Sequence, residues 1–355
     1  MVEQYKADEE GLLPVRSSRM PSAAEEVVLA EHVEEYKTRG FTVLRDVLSA
    51  DEVEILRARL DKRMQRKMES PLNELDGKPA TGADWARAGH TVSIGGPGDS
   101  AMIGYPGLLA AAPEVAELLI KPFLLSPRLL DLAERVMGPY VQGDGFYVVG
   151  TPPTEFTGRK PGVLPHAQLV DETAGWHRDG YNHHNMWRNN AGYMDDLVAG
   201  NQSFTPPLAA HMLCYLQDMN GPGGPLLAVP GSHRSAMGEK PVGTEKEAVI
   251  QVDAKAGDVV FFHCDMLHSG SANRAETAWR YMVTSFVVRS GLPYRDDFTK
   301  CSLVRALIAE AEARGDRRVL RFFAADTEDG GPLGREEAQW AAAVEAERKL
   351  LRTLT

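Results

Sequence analysis

Apolar and polar positions along this chain follow two different periods, which predict helices at both ends and short strands between them. In residues 27–39 the apolar positions recur at helical spacing. Residues 41–48 are predicted as a strand, and Ser49 followed by Glu52 has the pattern of a capping box. We therefore expect a second helix that runs from this box to about residue 67.

The next part of the chain is predicted as one long loop followed by two short helices. Residues 70–107 are rich in Gly, Pro and Asp, which are typical of loops. Residues 113–123 and 127–137 have helical character. The second of these helices is predicted to have Ser126 at its N-cap and Pro127 as its first residue.

From residue 140 the pattern changes to short runs of β-branched and aromatic residues that Gly and Pro interrupt. The predicted strands are residues 141–149, 163–171, 208–216, 226–229, 248–252, 259–262 and 279–288. Many short strands with turns between them are typical of a sandwich or barrel. The predicted fold is mainly β with helical additions, namely a double-stranded β-helix (a cupin-like jelly roll) flanked by N- and C-terminal helices.

Three segments are expected in this fold. Residues 1–25 are polar and of mixed charge and form a flexible N-terminal arm, residues 26–290 form the jelly-roll domain with its N-terminal helices, and residues 291–355 form a C-terminal helical extension. In the extension Trp340 and Leu351 fall on one apolar stripe. Such a helix most often packs on its own barrel, and the alternative is a homodimer through the C-terminal helices.

The candidate chemistry begins at the run Trp176-His177-Arg178-Asp179-Gly180. Side chains alternate between the two faces of a strand, so His177 and Asp179 would point the same way and could hold one metal ion. A third ligand must come from elsewhere, and His268 is the candidate. Two histidines and one carboxylate leave three coordination positions open, which suits Fe(II) oxygenases.

A second His-x-Asp pattern, His263-Cys264-Asp265, competes with the first. Only His268 follows it, so its third ligand would lie three residues from its own Asp or upstream. The copy at His177 leaves a long span for strands before His268, and Arg280 follows that histidine. The order of residues therefore favours the first copy.

Arg280 lies in the predicted strand 279–288, where Arg280, Met282, Thr284 and Phe286 share one face. An arginine on an apolar inner face is costly unless an anion neutralises it, and its planar fork matches a carboxylate. The alternative is an arginine at a strand edge that faces solvent or an acidic neighbour.

These residues resemble the phytanoyl-CoA dioxygenase-like family of Fe(II)/2-oxoglutarate-dependent oxygenases, over about residues 30–290. The similar parts are His177-Arg178-Asp179, Pro225-Leu226-Leu227-Ala228-Val229-Pro230-Gly231-Ser232-His233, and Gly257-Asp258-Val259-Val260-Phe261-Phe262 leading to His268 and Arg280. The resemblance implies that His177, Asp179 and His268 bind Fe(II), while Arg280 holds the distal carboxylate of 2-oxoglutarate. One departure is a stretched Asn220-Gly221-Pro222-Gly223-Gly224-Pro225-Leu226 run, which we expect to alter a turn rather than the chemistry.

The resemblance also implies an activity. An enzyme of this family consumes O2 and 2-oxoglutarate and releases succinate and CO2, and hydroxylation of a C–H bond in a small, partly apolar metabolite is the expected outcome. Asp179 in place of a small residue argues against halogenation. Desaturation, epimerisation, cyclisation and endoperoxide formation start from the same oxidising chemistry and remain alternatives. A cupin-like metal isomerase or hydrolase and a non-catalytic jelly-roll binding module are alternatives of other classes.

Two further sets of residues are candidates for binding. Gln168 shares one face of the predicted strand 163–171 with His166, from which it could reach 2-oxoglutarate or the substrate. Residues 180–207 form a long segment of the kind that often acts as a lid. In that segment the side chains predicted to cover a substrate are Trp187, Met186 and Tyr193.

Bulk composition excludes some partners. The net charge is −11 with no long basic run, which disfavours nucleic acid and anionic membranes as partners. No apolar stretch approaches the roughly 20 residues of a membrane span. The three cysteines, Cys214, Cys264 and Cys301, lack paired spacing, which fits a reducing cytoplasm in which Fe(II) persists. We therefore expect a cytoplasmic protein that acts on a small molecule.

Overall fold

Two antiparallel β-sheets face each other at the centre of the protein, and helices cover the outer face of the larger sheet. The structure is a computed structural model, and it describes residues 22–95, 107–138, 140–173, 175–179, 207–234, 248–290 and 298–326. The double-stranded β-helix with helical additions that the sequence predicts is confirmed in this part of the chain.

The strands are numbered in chain order. They are β1 Phe41–Leu44, β2 Pro71–Leu75, β3 Lys78–Thr81, β4 Val92–Ile94, β5 Val141–Thr151, β6 Ala209–Tyr215, β7 Leu226–Ala228, β8 Ile250–Val252, β9 Val259–His263, β10 His268–Gly270 and β11 Arg280–Arg289. The larger sheet has the order β1-β9-β6-β11-β5-β4, and the smaller sheet has the order β10-β7-β8. Strands β2 and β3 form a separate hairpin.

The described helices are also numbered in chain order. They are α1 Ala23–Arg39, α2 Ala50–Glu69, α3 Gly82–Arg87, α4 Gly107–Ala111, α5 Pro113–Leu119, α6 Pro127–Met137, α7 Thr154–Thr157, α8 His166–Asp171, α9 Ser302–Arg314 and α10 Arg317–Phe322. The predicted capping box is present at the start of α2, where Ser49 and Glu52 bond each other's backbone N–H groups. Helix α6 begins as predicted, with Ser126 at the N-cap and Pro127 first.

Alternation along the central strands separates two apolar cores. On β6, Met212 and Cys214 pack towards the helices, whereas Leu213 and Tyr215 face the smaller sheet. On β11, Tyr281 and Val283 point to the helices and Met282 points between the sheets. Side chains at alternate positions therefore line the space between the sheets, which is the inner face of the barrel.

The predicted loop at residues 70–107 is wrong in its first half. Strands β2 and β3 form a hairpin through the two-residue turn Asp76-Gly77, in which both residues have positive φ, 53° and 72°. An Asp-Gly pair is the usual solution for this turn because its twist matches that of the strands. Helix α3 follows at once, with a capping box between Thr81 and Asp84.

The predicted strand at residues 163–171 is also wrong, because residues 166–171 form helix α8. Pro165 stands at its N-cap, and a proline within a short apolar run argues against a central strand. Leu169 is buried against the outer face of the smaller sheet together with Leu227 and Val229. The helix therefore covers the side of that sheet opposite the barrel interior.

The ends of the chain adjust the expected segments. Helix α1 begins at Ala23, so the predicted flexible arm of residues 1–25 already contains the start of a helix. In the C-terminal extension, Phe298, Val304 and Phe322 belong to the main helical core. The stripe of Trp340 and Leu351 lies outside the described residues, so the homodimer stays a prediction.

None of the described helices is both long enough and apolar enough to cross a bilayer.

We expect the buried carboxylate of Asp258 to stabilise the edge of the barrel. Its carboxylate is 1% exposed and accepts hydrogen bonds from Arg45, from the backbone N–H of Asp46 and from that of Lys255. Asp258→Ala removes the buried acceptor that these three donors share and should lower the free energy of unfolding by about 3 kcal/mol in urea denaturation.

Asp253→Ala is the control, because Asp253 pairs with the same Arg45 but is 63% exposed. It should change stability by less than about 0.5 kcal/mol. Equal effects of the two substitutions would contradict the account.

Candidate metal centre

Two backbone hydrogen bonds bring the first His-x-Asp motif to the smaller sheet. The N–H of His177 donates to the carbonyl of His268, and the N–H of His268 donates to the carbonyl of His177, each over 3.0 Å. The expected extended strand around His177 is reduced to this single bridge. It still places the two histidines side by side, with ring centroids 4.3 Å apart.

The structure brings the three predicted ligands together. His177, Asp179 and His268 each offer a ligand atom, and these atoms lie within 4.8 Å of one another. Asp179 Oδ1 is 3.5 Å from Nε2 of His268 and 3.8 Å from Nε2 of His177. The set of two imidazoles and one carboxylate is the donor set that suits Fe(II) with open positions for a co-substrate and oxygen.

Both histidines are oriented by backbone carbonyls. Nδ1 of His177 bonds the carbonyl of Gly175, and Nδ1 of His268 bonds the carbonyl of Met266, each over 3.0 Å. An Nδ1–H that donates to a carbonyl leaves Nε2 as the free lone pair. In both residues that lone pair is the atom near Asp179.

The pKa values of His268 and Asp179 are shifted in the direction that favours binding of a cation. It lowers the pKa of His268 to about 4, so this imidazole is neutral and able to coordinate at physiological pH. Burial alone would raise the pKa of Asp179, but the imidazoles of His211, His268 and His177 outweigh it and hold the pKa well below its usual range. Asp179 is therefore a carboxylate in an imidazole-rich site.

Arg178 anchors the motif from the opposite side. Its guanidinium donates to the backbone carbonyl of Ser232, over 2.8 Å, and to that of Asp265. The hydroxyl of Ser232 in turn accepts the N–H of Leu267, next to the third ligand. The Pro-Gly-Ser-His turn thus holds both chain segments that carry the ligands.

The competing motif at His263 and Asp265 faces away from this centre. Nδ1 of His263 accepts the backbone N–H of Asp265, and its ring stacks near Tyr36 and His233. Nε2 of His233 bonds the carbonyl of Lys37, as expected for a turn residue with a structural role. The described geometry therefore favours the first copy of the motif.

Arg280 begins β11 on the inner face of the barrel. Its Nη1 donates to the carbonyls of Gly223, Gly224 and Ser271 over 2.7–3.1 Å, and its Nη2 donates to Thr151 Oγ1 over 2.9 Å. Within the described residues no carboxylate pairs with it and its Nε has no acceptor. Three carbonyls thus fix the Nη1 end of the guanidinium, whereas Nε has no acceptor among the described residues.

The stretched glycine turn contacts Arg280, a contact that the sequence did not predict. The carbonyls of Gly223 and Gly224 are two of the three that fix Arg280. Gly224 has φ +82°, and a Cβ there would lie 2.4 Å from the carbonyl oxygen of Ala272. Glycine is therefore required for this turn to deliver its carbonyls to Arg280.

Of the remaining predicted residues, only Gln168 lies in the described part of the chain. Gln168 lies on α8 with an exposed side chain, so its predicted role loses the strand geometry on which it rested. Trp187, Met186 and Tyr193 lie outside the described residues.

Two residues of the inner face escaped the sequence analysis. His211 bonds Asp179, with 2.6 Å between Nδ1 and Oδ2. Tyr215 lies two positions beyond Leu213 on the same face of β6. Burial raises the pKa of Tyr215. Arg280 partly offsets this rise, and Asp179 adds to it. The alternation along β6 was the available signal, since residues 211, 213 and 215 share a face.

Comparison with known proteins identifies the family. The family model described as phytanoyl-CoA dioxygenase (PhyH) matches residues 36–282, which is more than half of the chain. The chain belongs to the PhyH family. The family match confirms the resemblance seen in the sequence. The protein is accordingly an Fe(II)/2-oxoglutarate-dependent enzyme of the oxygenase type.

Three solved structures illustrate the similarity to known chains. The 2-oxoglutarate (alpha ketoglutarate)-dependent epimerase SnoN from nogalamycin biosynthesis has 17% identity and a TM-score of 0.46, covering 76% of this chain and 86% of its own. AviO1 from Streptomyces viridochromogenes Tue57 has 20% identity and a TM-score of 0.44, covering 75% and 97%. The carbocyclase SnoK from nogalamycin biosynthesis has 18% identity and a TM-score of 0.45, covering 82% and 93%. No curated protein matches the sequence significantly.

The two His-x-Asp motifs offer a matched test of the metal centre. Asp179→Asn should weaken Co(II) binding, measured by absorption titration, at least 100-fold, because it removes the anionic ligand. Asp265→Asn, in the second motif, should leave the affinity within about threefold, because Asp265 lies outside the described group of possible ligands. A larger loss at Asp265 than at Asp179 would assign the metal to the second motif.

Proposed function

We propose that this protein is an Fe(II)/2-oxoglutarate-dependent dioxygenase that hydroxylates a C–H bond of a small, partly apolar metabolite. The observation that carries the proposal is Arg280, a guanidinium on the inner face of the same barrel as the His-Asp-His group, with no acidic partner among the described residues. A cation in this position requires an anion, and 2-oxoglutarate supplies a carboxylate at each end.

His177, Asp179 and His268 are proposed to hold the iron on one side and to leave the opposite side open. When bound, the iron and its co-substrate supply the activation of O2, with release of succinate and CO2. The residues of the chain bind and orient the reactants around that centre. The side chain of His177 is 55% exposed and that of His268 only 6%, so the group opens on the side of His177.

Arg280 is proposed to bind the distal carboxylate of 2-oxoglutarate. Nη1 is held by backbone carbonyls, so the edge formed by Nε and Nη2 is the edge that remains for a bidentate contact. Burial lowers the pKa of Arg280, but a guanidinium remains charged at any physiological pH. Thr151 Oγ1, which already accepts from Nη2, fixes the plane of the fork.

Tyr215 is proposed to lie along the path of the co-substrate between Arg280 and the metal. It faces the inside of the barrel as the cross-strand partner of Met282, two residues from Arg280. Its phenol interacts electrostatically with both Arg280 and Asp179, which stand at the two ends of that path. Its hydroxyl bonds none of the described residues, so it is available to a ligand oxygen.

The substrate is proposed to enter beneath Trp187, Met186 and Tyr193, with Gln168 as a contact at the rim. The reaction itself is tested with 18O2, since hydroxylation places one labelled atom in the product, whereas epimerisation, desaturation and cyclisation place none. Candidate metabolites are screened first by the succinate formation that they stimulate.

The co-substrate assignment is tested by anaerobic addition of Fe(II) and then 2-oxoglutarate, which should produce a weak visible charge-transfer band. Arg280→Met should weaken 2-oxoglutarate binding in this titration about 100-fold, because a buried charge-assisted pair is lost. Co(II) affinity should stay within about threefold.

Arg57→Met is the matched control, because Arg57 also donates to backbone carbonyls beside β11 but sits against Tyr281 on the helical side of the sheet. It should leave 2-oxoglutarate affinity unchanged. An Arg280→Met variant that binds 2-oxoglutarate as tightly as the wild type would refute the assignment while sparing the metal centre.

The glycine turn provides a milder test of the same site. Gly224→Ala should displace the carbonyls that fix Arg280 and raise the dissociation constant of 2-oxoglutarate about tenfold, with little change in Co(II) affinity. Gly221→Ala in the same turn is the control, because no atom lies within 4 Å of a Cβ there. Equal affinities in the two variants would show that the turn does not position Arg280.

A further inference from the structure

His211 contacts the metal centre without belonging to the predicted ligands. It lies on the inner face of β6 and is 6% exposed. Its Nδ1 is 2.6 Å from Oδ2 of Asp179, closer than the Nε2 atoms of His177 and His268 are to Oδ1. The two residues are 32 positions apart in the sequence, so the fold and not local geometry brings them together.

The two oxygens of Asp179 have different surroundings. Oδ1 faces Nε2 of both His177 and His268, at 3.8 Å and 3.5 Å. Oδ2 faces His211 instead. One oxygen is therefore directed to the position that a metal ion would share with the imidazoles, and the other is occupied by a hydrogen bond.

We propose that His211 is a positioning residue that binds Oδ2 of Asp179 and so presents Oδ1 to the metal as a single, oriented ligand. The inference rests on the proposed metal centre, and it adds a residue to that centre. It assigns no role in the chemical step to His211.

His211 is itself held on several sides. Its Nε2 forms a hydrogen bond with Thr284 Oγ1 on the neighbouring β11. Its ring stacks on Phe286 with centroids 3.9 Å apart and lies 4.9 Å from the ring of Phe262. The imidazole cannot turn without breaking these contacts, so it gives Asp179 a fixed partner.

The hydrogen-bond pattern also defines which nitrogen donates. A carboxylate oxygen only accepts hydrogen bonds, so Nδ1 of His211 carries a hydrogen and donates it in the hydrogen bond to Oδ2 of Asp179. In the neutral ring Nε2 then accepts from the hydroxyl of Thr284. Because both nitrogens are engaged, His211 has no lone pair left for the metal, and it lies outside the group of possible ligands.

Asp179 needs such a partner because of where it lies. Its segment is tied to the sheets by the bridge at His177, by Arg178 and by the hydroxyl of Ser269, which donates to the carbonyl of Gly175, and each of these contacts lies outside the side chain of Asp179. A carboxylate on a segment of this kind has freedom to rotate and to bind a metal through either oxygen. Hydrogen bonds to the outer atoms of ligands restrict that freedom and typically change metal affinity 10–100-fold.

The experiment measures Co(II) binding by its visible d–d absorption in the full-length chain, without 2-oxoglutarate. His211→Phe keeps an aromatic ring between Phe286 and Phe262 but removes the donor. It should weaken Co(II) binding 10–100-fold and alter the band positions that report the coordination geometry. His211→Asn, whose amide nitrogen can occupy the place of Nδ1, should restore affinity to within about threefold of the wild type.

His32→Phe is the matched control. Nδ1 of His32 also bonds a threonine hydroxyl, Thr42 Oγ1 at 2.8 Å, but lies on α1 away from the ligands. This variant should bind Co(II) as the wild type does. Thermal denaturation of each variant distinguishes a loss of metal affinity from a loss of fold.

Wild-type affinity and spectrum in a folded His211→Phe variant would overturn the inference. If His211→Phe does not fold, His211→Asn and His211→Gln decide, since the Gln amide reaches the place of Nε2 rather than Nδ1. Equal Co(II) affinities of these two variants would equally overturn it. A wild type that binds Co(II) with this variant pattern but never binds 2-oxoglutarate would refute the proposed dioxygenase and leave the role of His211 standing.

Discussion

The backbone bridge between His177 and His268 is the interaction on which the candidate site depends. Its two hydrogen bonds, each 3.0 Å, join a short segment outside the sheets to the edge strand β10. The two histidines are 91 positions apart in the sequence, and these hydrogen bonds join the segments that carry them. With them the two histidines lie side by side, and Asp179, two residues after His177, places its ligand atom within 4.8 Å of theirs. A weak three-residue motif becomes a site because a second chain segment pairs with it.

The inner face of the barrel explains the rest of the arrangement. Apolar side chains fill most of it, so each polar group that points inward must have a defined partner. His211 is satisfied by Asp179 and Thr284, and Nη1 of Arg280 is satisfied by three carbonyls. Among the described residues, Nε of Arg280 and the hydroxyl of Tyr215 have no hydrogen-bond partner, and the Nε2 atoms of His177 and His268 both face Oδ1 of Asp179. In the proposed arrangement, a dianion with carboxylates at both ends would bind the cation at one end and the metal at the other.

Much of this could be predicted from the sequence because the decisive signals are local. A capping box, strand alternation and the order of His177, His268 and Arg280 each depend on a few neighbouring residues. The helix at residues 166–171 was missed because its apolar side covers the smaller sheet, although Pro165 argued against a strand. His211 was missed for a different reason. Alternation along β6 could place its side chain on the inner face, but its contact with Asp179 exists only once β6 lies beside the ligand segment.

The central claim is that one barrel holds the metal at the first His-x-Asp motif and 2-oxoglutarate between that metal and Arg280. Crystals grown anaerobically with Fe(II) and 2-oxoglutarate, measured at the iron absorption edge, test it most directly. The account predicts one anomalous peak in contact with His177, Asp179 and His268, and co-substrate density that ends at the Nε–Nη2 edge of Arg280. An iron peak beside His263 and Asp265, or 2-oxoglutarate bound away from Arg280, would contradict it.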